Sequence, residues 1–431
     1  MAGLKKTLAH LESLRRRFEK LTSTAQRLTH EPSGRGESRL KRIPKFGTNP
    51  GNLRMFAFVP ASAPRMPALV VALHGCTQTA DGYDHGTGWS VLADRHGFVV
   101  IYPEQQPANN PKNCFSWFLP GDTARERGEA SSIRQMIEHA IVEFGIDRRR
   151  VFVTGLSAGG AMTSVMLATY PEVFAGGAII AGLPYGCATS VQEAFEAMFT
   201  ERSVSTRALG EQVRTASRHH GPWPKISVWH GSADPVVKPA NAEDIVRQWT
   251  YVHALSNKPS HEETVNGHRR RVWCDANGAM RIEAFTINGM AHGVPIAVGN
   301  ESCGTPGPFF LDAGISSTSQ IAHSWGLANA EAKARSPAET ANPAAPVEEG
   351  SRAIAMPATA EDAAEAGAAH LEPNEKQGNR WPLDPNVVIA AAFKAAGLPA
   401  PTDTNRSRGF PRVVPNSIIE AALKAAGLTK R

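Results

Sequence analysis

Val151-Phe152-Val153-Thr154-Gly155-Leu156-Ser157-Ala158-Gly159-Gly160-Ala161-Met162 is the stretch whose reading decides the fold. Its first four residues have the short, β-rich character of a strand, and from 160 to 170 the apolar positions recur with helical period. Between the two, Gly155-Leu156-Ser157-Ala158-Gly159 matches G-x-S-x-G. In such a strand-to-helix turn the serine hydroxyl stands above the sheet edge with a helix N-terminus behind it. The glycines are there because a Cβ would collide as the backbone reverses. The pattern alone is common in proteins; the strand before it and the helix after it make Ser157 a candidate nucleophile.

Working outward, Met55-Phe56-Ala57-Phe58-Val59, Ala68-Leu69-Val70-Val71-Ala72-Leu73, Phe98-Val99-Val100-Ile101-Tyr102, Ala178-Ile179-Ile180-Ala181 and Ile226-Ser227-Val228-Trp229 are further short β-rich runs. Helical-period stretches such as 133–144 separate several of them. Near-continuous apolar strands alternating with helices predict a doubly wound α/β domain, a mostly parallel sheet covered on both faces. It is expected to occupy residues 51–327.

A serine hydroxyl needs a base, and the base needs orienting. Downstream, the strand at 226–229 runs into His230-Gly231-Ser232-Ala233-Asp234-Pro235, which delivers Asp234 to the sheet edge that carries the serine. Later, Ile282-Glu283-Ala284-Phe285-Thr286-Ile287 leads into Asn288-Gly289-Met290-Ala291-His292-Gly293. A histidine on a Gly-flanked loop beyond a strand can place its imidazole between Ser157 and Asp234, so His292 is the candidate base. His230 reads as structural, and His219, His220 and His323 lack a strand-end setting. An oxyanion would need backbone N–H groups aimed at it. Ala158, at the helix N-terminus, is one candidate donor. Cys76 in Leu73-His74-Gly75-Cys76-Thr77-Gln78 is the other, with Thr77 as its neighbouring alternative. No base is placed to make Cys76 a catalytic thiol.

The segments Leu73-His74-Gly75-Cys76-Thr77-Gln78-Thr79-Ala80, Cys114-Phe115-Ser116-Trp117-Phe118, Gly128-Glu129, Gly155 to Met162, Tyr170-Pro171-Glu172-Val173-Phe174-Ala175, Ala181-Gly182-Leu183-Pro184-Tyr185-Gly186 and Gly289-Met290-Ala291-His292-Gly293 together resemble the poly(3-hydroxybutyrate) depolymerase family of esterases. Feruloyl and acetylxylan esterases are its relatives. The resemblance covers about residues 50–327. It implies an α/β-hydrolase fold and hydrolysis of carboxylic esters through Ser157, Asp234 and His292, with no metal or organic cofactor. The substrate so implied is a poly- or oligo-(3-hydroxybutyrate)-type ester, or alternatively a feruloyl or acetylxylan ester. Trp117 and Thr77 are candidates for touching it, although ordinary packing is an equal reading of Trp117. Arg125, Arg127 and Glu129 read as a solvated charge run or a salt-bridged loop.

Of the 431 residues, 42% are hydrophobic and 20% charged, which excludes a wholly disordered chain. No apolar run approaches the length of a membrane helix. The formal net charge of +6 is concentrated in residues 1–46, and no groove-reading or base-stacking motif accompanies it, so no nucleic-acid partner is expected. The N-terminus has no apolar stretch of secretory type, which makes cytoplasmic residence the expectation; an extracellular location is the alternative that the family resemblance offers. Five cysteines are too few for a disulfide scaffold. A bridge between Cys76 and Cys114 is geometrically possible, but in a reducing cytoplasm free thiols are expected.

Residues 1–28 carry Leu4, Leu8, Leu11, Leu14, Phe18 and Leu21 at helical spacing among basic residues, the pattern of one amphipathic helix. Residues 29–50 read as a connector, and 328–380, rich in Ala, Glu and Pro, as a flexible linker. Residues 385–398 recur at 415–428 with ten of fourteen positions identical. Each copy reads as a short amphipathic helix begun by Asn and ended by Gly, stable only when docked on the hydrolase body or on a hydrophobic partner such as a polyester granule. A second reading of the chain is therefore a granule- or partner-binding protein whose hydrolase activity is secondary. A chain ending at Leu327 is expected to keep full turnover of a soluble short-chain ester and to lose association with an insoluble polyester, measured by co-sedimentation. Docking on the body would instead show as a lower melting temperature with association unchanged. If neither changes, both readings of the repeats fail.

Overall fold

Side chains of a strand covered on both faces alternate between two cores, and the central runs do so. Leu69, Val71, Leu73, Val151 and Val153 enter one hydrophobic cluster, while Val70, Ala72, Phe152 and Leu156 enter the other. The computed structural model of the chain describes residues 38–299 and 303–328, together with Ser13 and Arg16. The rest of the helix expected over 1–28, the linker beyond residue 328 and both repeats lie outside the described residues.

The strands of the central sheet are β1 (Lys41–Ile43), β2 (Arg54–Phe58), β3 (Leu69–Leu73), β4 (Val99–Glu104), β5 (Val151–Leu156), β6 (Gly176–Ile180), β7 (Lys225–Gly231), β8 (His261–Val265), β9 (His268–Cys274) and β10 (Met280–Ile287), and Val294–Ile296 pairs with Phe310–Asp312 in a separate two-stranded sheet. Among the described residues β1 to β10 form one sheet in the order β1-β2-β4-β3-β5-β6-β7-β10-β9-β8. From β4 to β10 every neighbouring pair is parallel. The outer pairs, β1 with β2, β2 with β4, β10 with β9 and β9 with β8, are antiparallel. Helices Gly128–Phe144, Ala158–Thr169 and Ala240–Val252 cover one face, and Ala80–Thr87, Trp89–His96 and Ser317–Ser324 cover the other. The mostly parallel, doubly wound α/β-hydrolase architecture expected from the sequence is the one observed.

The sheet starts earlier than the sequence suggests. Lys41–Ile43, inside the expected connector, pairs with β2, and the nearby Phe46 is buried. With exposed Lys41 and Arg42, this edge strand carries none of the apolar alternation that marks a strand in sequence. The far edge is also charged. Arg269 pairs with Glu262, and Arg270 with Glu263 and Glu283, across the hairpin from β8 to β10. At the C-terminal end of the domain, Trp325 stacks on Phe152 with ring centroids 4.7 Å apart and on Trp89 at 5.9 Å. This sandwich fixes the end of the chain's last described helix against the sheet.

Candidate active site

Because β5, β7 and β10 run parallel, the loops after them leave the same edge of the sheet. Ser157 follows β5 directly and has φ 58° and ψ −116°, a strained conformation for a non-glycine residue. Its N–H is tied to Ile180 O at 2.9 Å. The flanking glycines are explained by contact with β3. A Cβ on Gly159 would lie 2.2 Å from Leu73 O and 2.5 Å from His74 O, and one on Gly155 would lie 2.4 Å from Gly159 O. The turn can therefore sit against the end of β3 only with bare backbone at both positions. Among the described residues no hydrogen bond holds the Ser157 hydroxyl.

The loops after β7 and β10 are stitched together by main-chain contacts. Ser232 N donates to Ile287 O at 2.9 Å, Ala233 N to Met290 O at 3.1 Å, and Gly289 N to Ser232 Oγ at 2.8 Å. This seam brings His292 Nδ1 to 2.7 Å from Asp234 Oδ2. Oδ1 of the same carboxylate accepts from Val236 N at 2.8 Å and Val237 N at 3.0 Å. All three side chains are buried, with Ser157 9%, Asp234 4% and His292 7% exposed. Burial alone would raise the Asp234 carboxyl, but the charges and hydrogen bonds of His292 and His230 together hold it well below the usual carboxylate range. Aspartate bound to Nδ1 leaves Nε2 as the free ring nitrogen of His292. His230, read from sequence as structural, has its Nε2 2.9 Å from Val237 O and 3.1 Å from Asp234 Oδ2, so it buttresses the loop that carries the acid.

The loop after β3 is held from several sides. Cys76 and Cys114 form a disulfide, which corrects the expectation of free thiols at these positions: the loops leaving adjacent strands β3 and β4 bring the two Cα atoms to 4.3 Å. Thr77 N donates to Lys112 O at 2.6 Å, so its N–H is already engaged, whereas no backbone hydrogen bond among the described residues engages the N–H of Cys76. Ala158 opens its helix, where first-turn N–H groups have no intrahelical acceptor. His74 Nδ1 donates to Gly75 O at 2.7 Å, and Gln105 N donates to His74 Nε2 at 3.0 Å.

Two other sequence readings change. Trp117 is 8% exposed, belongs to the hydrophobic core and packs edge-on against Phe118, which favours the packing reading. Glu129 is not part of a solvated charge run. It is buried, accepting from Gln105 Nε2 at 2.5 Å and Ser116 N at 2.8 Å, because the loop bearing Ser116 closes over it. Arg125 pairs instead with Glu172 at 2.6 Å and lies over the Tyr170 ring. A lone glutamate at the start of an apolar helix face was the available signal for a buried acid.

A family model described as esterase PHB depolymerase matches residues 54–279, a little over half of the chain. The chain belongs to this family. It is 48% identical over 291 residues to poly(3-hydroxyalkanoate) depolymerase C of Paucimonas lemoignei, covering 67% of this chain and 70% of that protein. To feruloyl esterase B of Talaromyces stipitatus it is 32% identical, covering 60% of this chain and 73% of the relative. The acetyl xylan esterase structure from Aspergillus awamori superposes with a TM-score of 0.58 at 25% identity, covering 67% of this chain and 99% of the other. This family member is a carboxylic ester hydrolase. Among its described residues no helix is long and apolar enough to cross a membrane.

Buried ionisable groups near and away from the site are expected to give stability a pH optimum. Burial holds His74 and His253 neutral, lowering each from 6.5 to about 4. The unfolded chain takes up protons at these positions as pH falls from 6.5 to about 4 and the folded chain does not, so stability falls with pH across that window. Glu129 acts in the opposite sense. Burial, aided by the charge of Asp122, raises its carboxyl from 4.5 to about 8, so stability falls as pH rises across that interval. Below pH 6.5 the two histidines, with His96 lowered in the same sense by burial, outweigh Glu129, whose contribution continues above it. Urea midpoints measured against pH are expected to peak at about pH 6.5 and decline toward pH 8; a continued rise to pH 8 would contradict this balance.

Proposed function

We propose that Ser157, His292 and Asp234 form a catalytic triad that hydrolyses esters of the 3-hydroxyalkanoate type through an acyl-enzyme. The observation that carries the triad is the 2.7 Å bond from His292 Nδ1 to Asp234 Oδ2, at the sheet edge that also carries the strained Ser157. Ser157 Oγ attacks the ester carbonyl while His292 Nε2 takes its proton. The N–H groups of Ala158 and Cys76 hold the oxyanion of the tetrahedral intermediate. His292 then protonates the departing alcohol, and water repeats the sequence on the acyl-enzyme to release the acid. Asp234 keeps the imidazole in the Nδ1–H tautomer and stabilises the imidazolium.

The choice of substrate rests on the depolymerase relative, whose 48% identity exceeds that of the feruloyl relative. Turnover of hydroxybutyrate oligomers, amorphous polymer, acetylxylan and feruloyl esters, assayed side by side, tests it: the hydroxybutyrate substrates are expected to give the highest kcat/KM. The Cys76–Cys114 bridge supports work in an oxidising compartment better than cytoplasmic residence, because such bridges persist where thiols are not kept reduced.

Ser157→Ala and His292→Ala are each expected to abolish turnover with the fold intact, and the double variant to be little worse than either, since triad members act as a unit. Asp234→Asn is expected to lower kcat by on the order of 10⁴, the loss seen when an asparagine imposes the wrong imidazole tautomer. Steady-state kinetics with a soluble ester measures all four. Normal turnover by Ser157→Ala would end the assignment.

A further inference from the structure

The chain that follows His292 is fastened at once to a turn with an unusual residue in it. Val294 N donates to Phe309 O at 2.8 Å, and a Cβ on Gly293 would lie 2.8 Å from the same oxygen. Pro308 and Phe309 form the turn itself, across which Gly307 and Phe310 exchange both main-chain hydrogen bonds, at 3.1 and 2.9 Å. The proline ring holds residue 308 at negative φ, while Phe309 has φ 67°. Negative then positive φ, closed by a hydrogen bond, makes a type II turn, whose second central position ordinarily takes Gly or Asn. A phenylalanine there is a backbone outlier, of a kind that costs free energy and gathers at functional sites.

The core does not require this ring. Phe310, the next residue, anchors the turn: it is buried, lies beside Tyr83 with ring centroids 6.0 Å apart, and fills the space over Gly86, where a Cβ would come 2.3 Å from its ring. Phe309 is only half-buried, at the rim of the same cluster. Its ring stands nearly perpendicular to the His292 imidazole, with an interplanar angle of 82° and a centroid distance of 6.0 Å.

In the proposed mechanism His292 Nε2 hands its proton to the departing alcohol, so the alcohol half of the ester lies against this imidazole. The acyl half stays bonded to Ser157. An apolar ring packed beside the imidazole is therefore a wall for the alcohol half. In a 3-hydroxyalkanoate ester that half is a secondary carbinol bearing an alkyl group, which an aromatic ring can cover.

We infer that Phe309 is a specificity-determining residue that borders the alcohol side of the site and favours esters of secondary alcohols carrying an apolar chain. The inference rests on the proposed roles of Ser157 and His292.

Butyrate esters of 2-propanol and 2-hexanol share an acyl group and have leaving alcohols of matched class, so the ratio of their kcat/KM values reads the alcohol side alone. Phe309→Gly, which relieves the backbone while removing the ring, is expected to lower the 2-hexyl to 2-propyl ratio roughly tenfold. Phe309→Tyr is expected to keep that ratio within roughly threefold of the wild type. The ratio of ethyl hexanoate to ethyl acetate, which reads the acyl side, is expected to move less than roughly twofold in Phe309→Gly. An unchanged alcohol ratio in Phe309→Gly, or an acyl ratio that falls as far, overturns the inference.

A measurement on the unmodified chain needs no variant to fold. Added alcohols compete with water for the butyryl-enzyme formed from p-nitrophenyl butyrate, and they enter by the position that the leaving alcohol vacates. At equal concentrations 2-hexanol is expected to capture the acyl group roughly tenfold more often than 2-propanol; equal capture overturns the inference. Ser157→Ala distinguishes the two levels of failure. If it still turns over ester, the site reading itself falls; if it is inactive while Phe309→Gly keeps the wild-type alcohol ratio, only the role of Phe309 falls.

Discussion

The elbow backbone runs so close to the end of β3 that neither Gly155 nor Gly159 has room for a side chain, and this contact sets the spacing of the whole site. It brings Ser157, the first turn of the helix Ala158–Thr169 and the loop carrying Cys76 to one place. The strained φ of Ser157 is the local cost of that approach, and the tie from its N–H to Ile180 O, with the helix buried along its length, over-determines the turn. In the proposed mechanism this strain is part of preorganisation, because the hydroxyl is presented before any substrate arrives.

A second constraint is independent of the first. The loops carrying Asp234 and His292 are joined by main-chain bonds, and Gly231 lies where a Cβ would come within 2.2 Å of Met290 O. The carboxylate is thus aimed by backbone, through Val236 and Val237, and not by a flexible ion pair. Behind the β3 loop, the disulfide, the hydrogen-bonded His74 ring and the buried Glu129 form a third support. Glu129 joins both ends of it, since Gln105 bonds to Glu129 through its side chain and to His74 through its main chain.

Much of this was legible in the sequence, and for physical reasons. Buried parallel strands must be apolar on both faces, so 69–73 and 151–156 announce themselves. G-x-S-x-G has meaning because bare backbone is required at its two ends. Less legible were elements stabilised by charge or by distant contacts. The hairpin of β8 and β9 is lined with Arg and Glu in place of an apolar alternation, although Asn266-Gly267, both at positive φ, was a usable turn signal. The contact of His230 with Asp234 depends on which loops meet at the sheet edge, and local residue patterns do not encode that; the Cys76–Cys114 bridge was legible as a possible contact of neighbouring loops, and only the expectation of a reducing surrounding set it aside.

The central claim is that Ser157 is activated by the fold around it. The most direct measurement is treatment of the folded chain with a fluorophosphonate, followed by intact mass and peptide mapping. The account expects one phosphonyl group per chain, on Ser157, absent when the protein is first unfolded in urea and absent in His292→Ala. An active, folded protein that takes up no phosphonyl group, or takes it up on another residue, would contradict it.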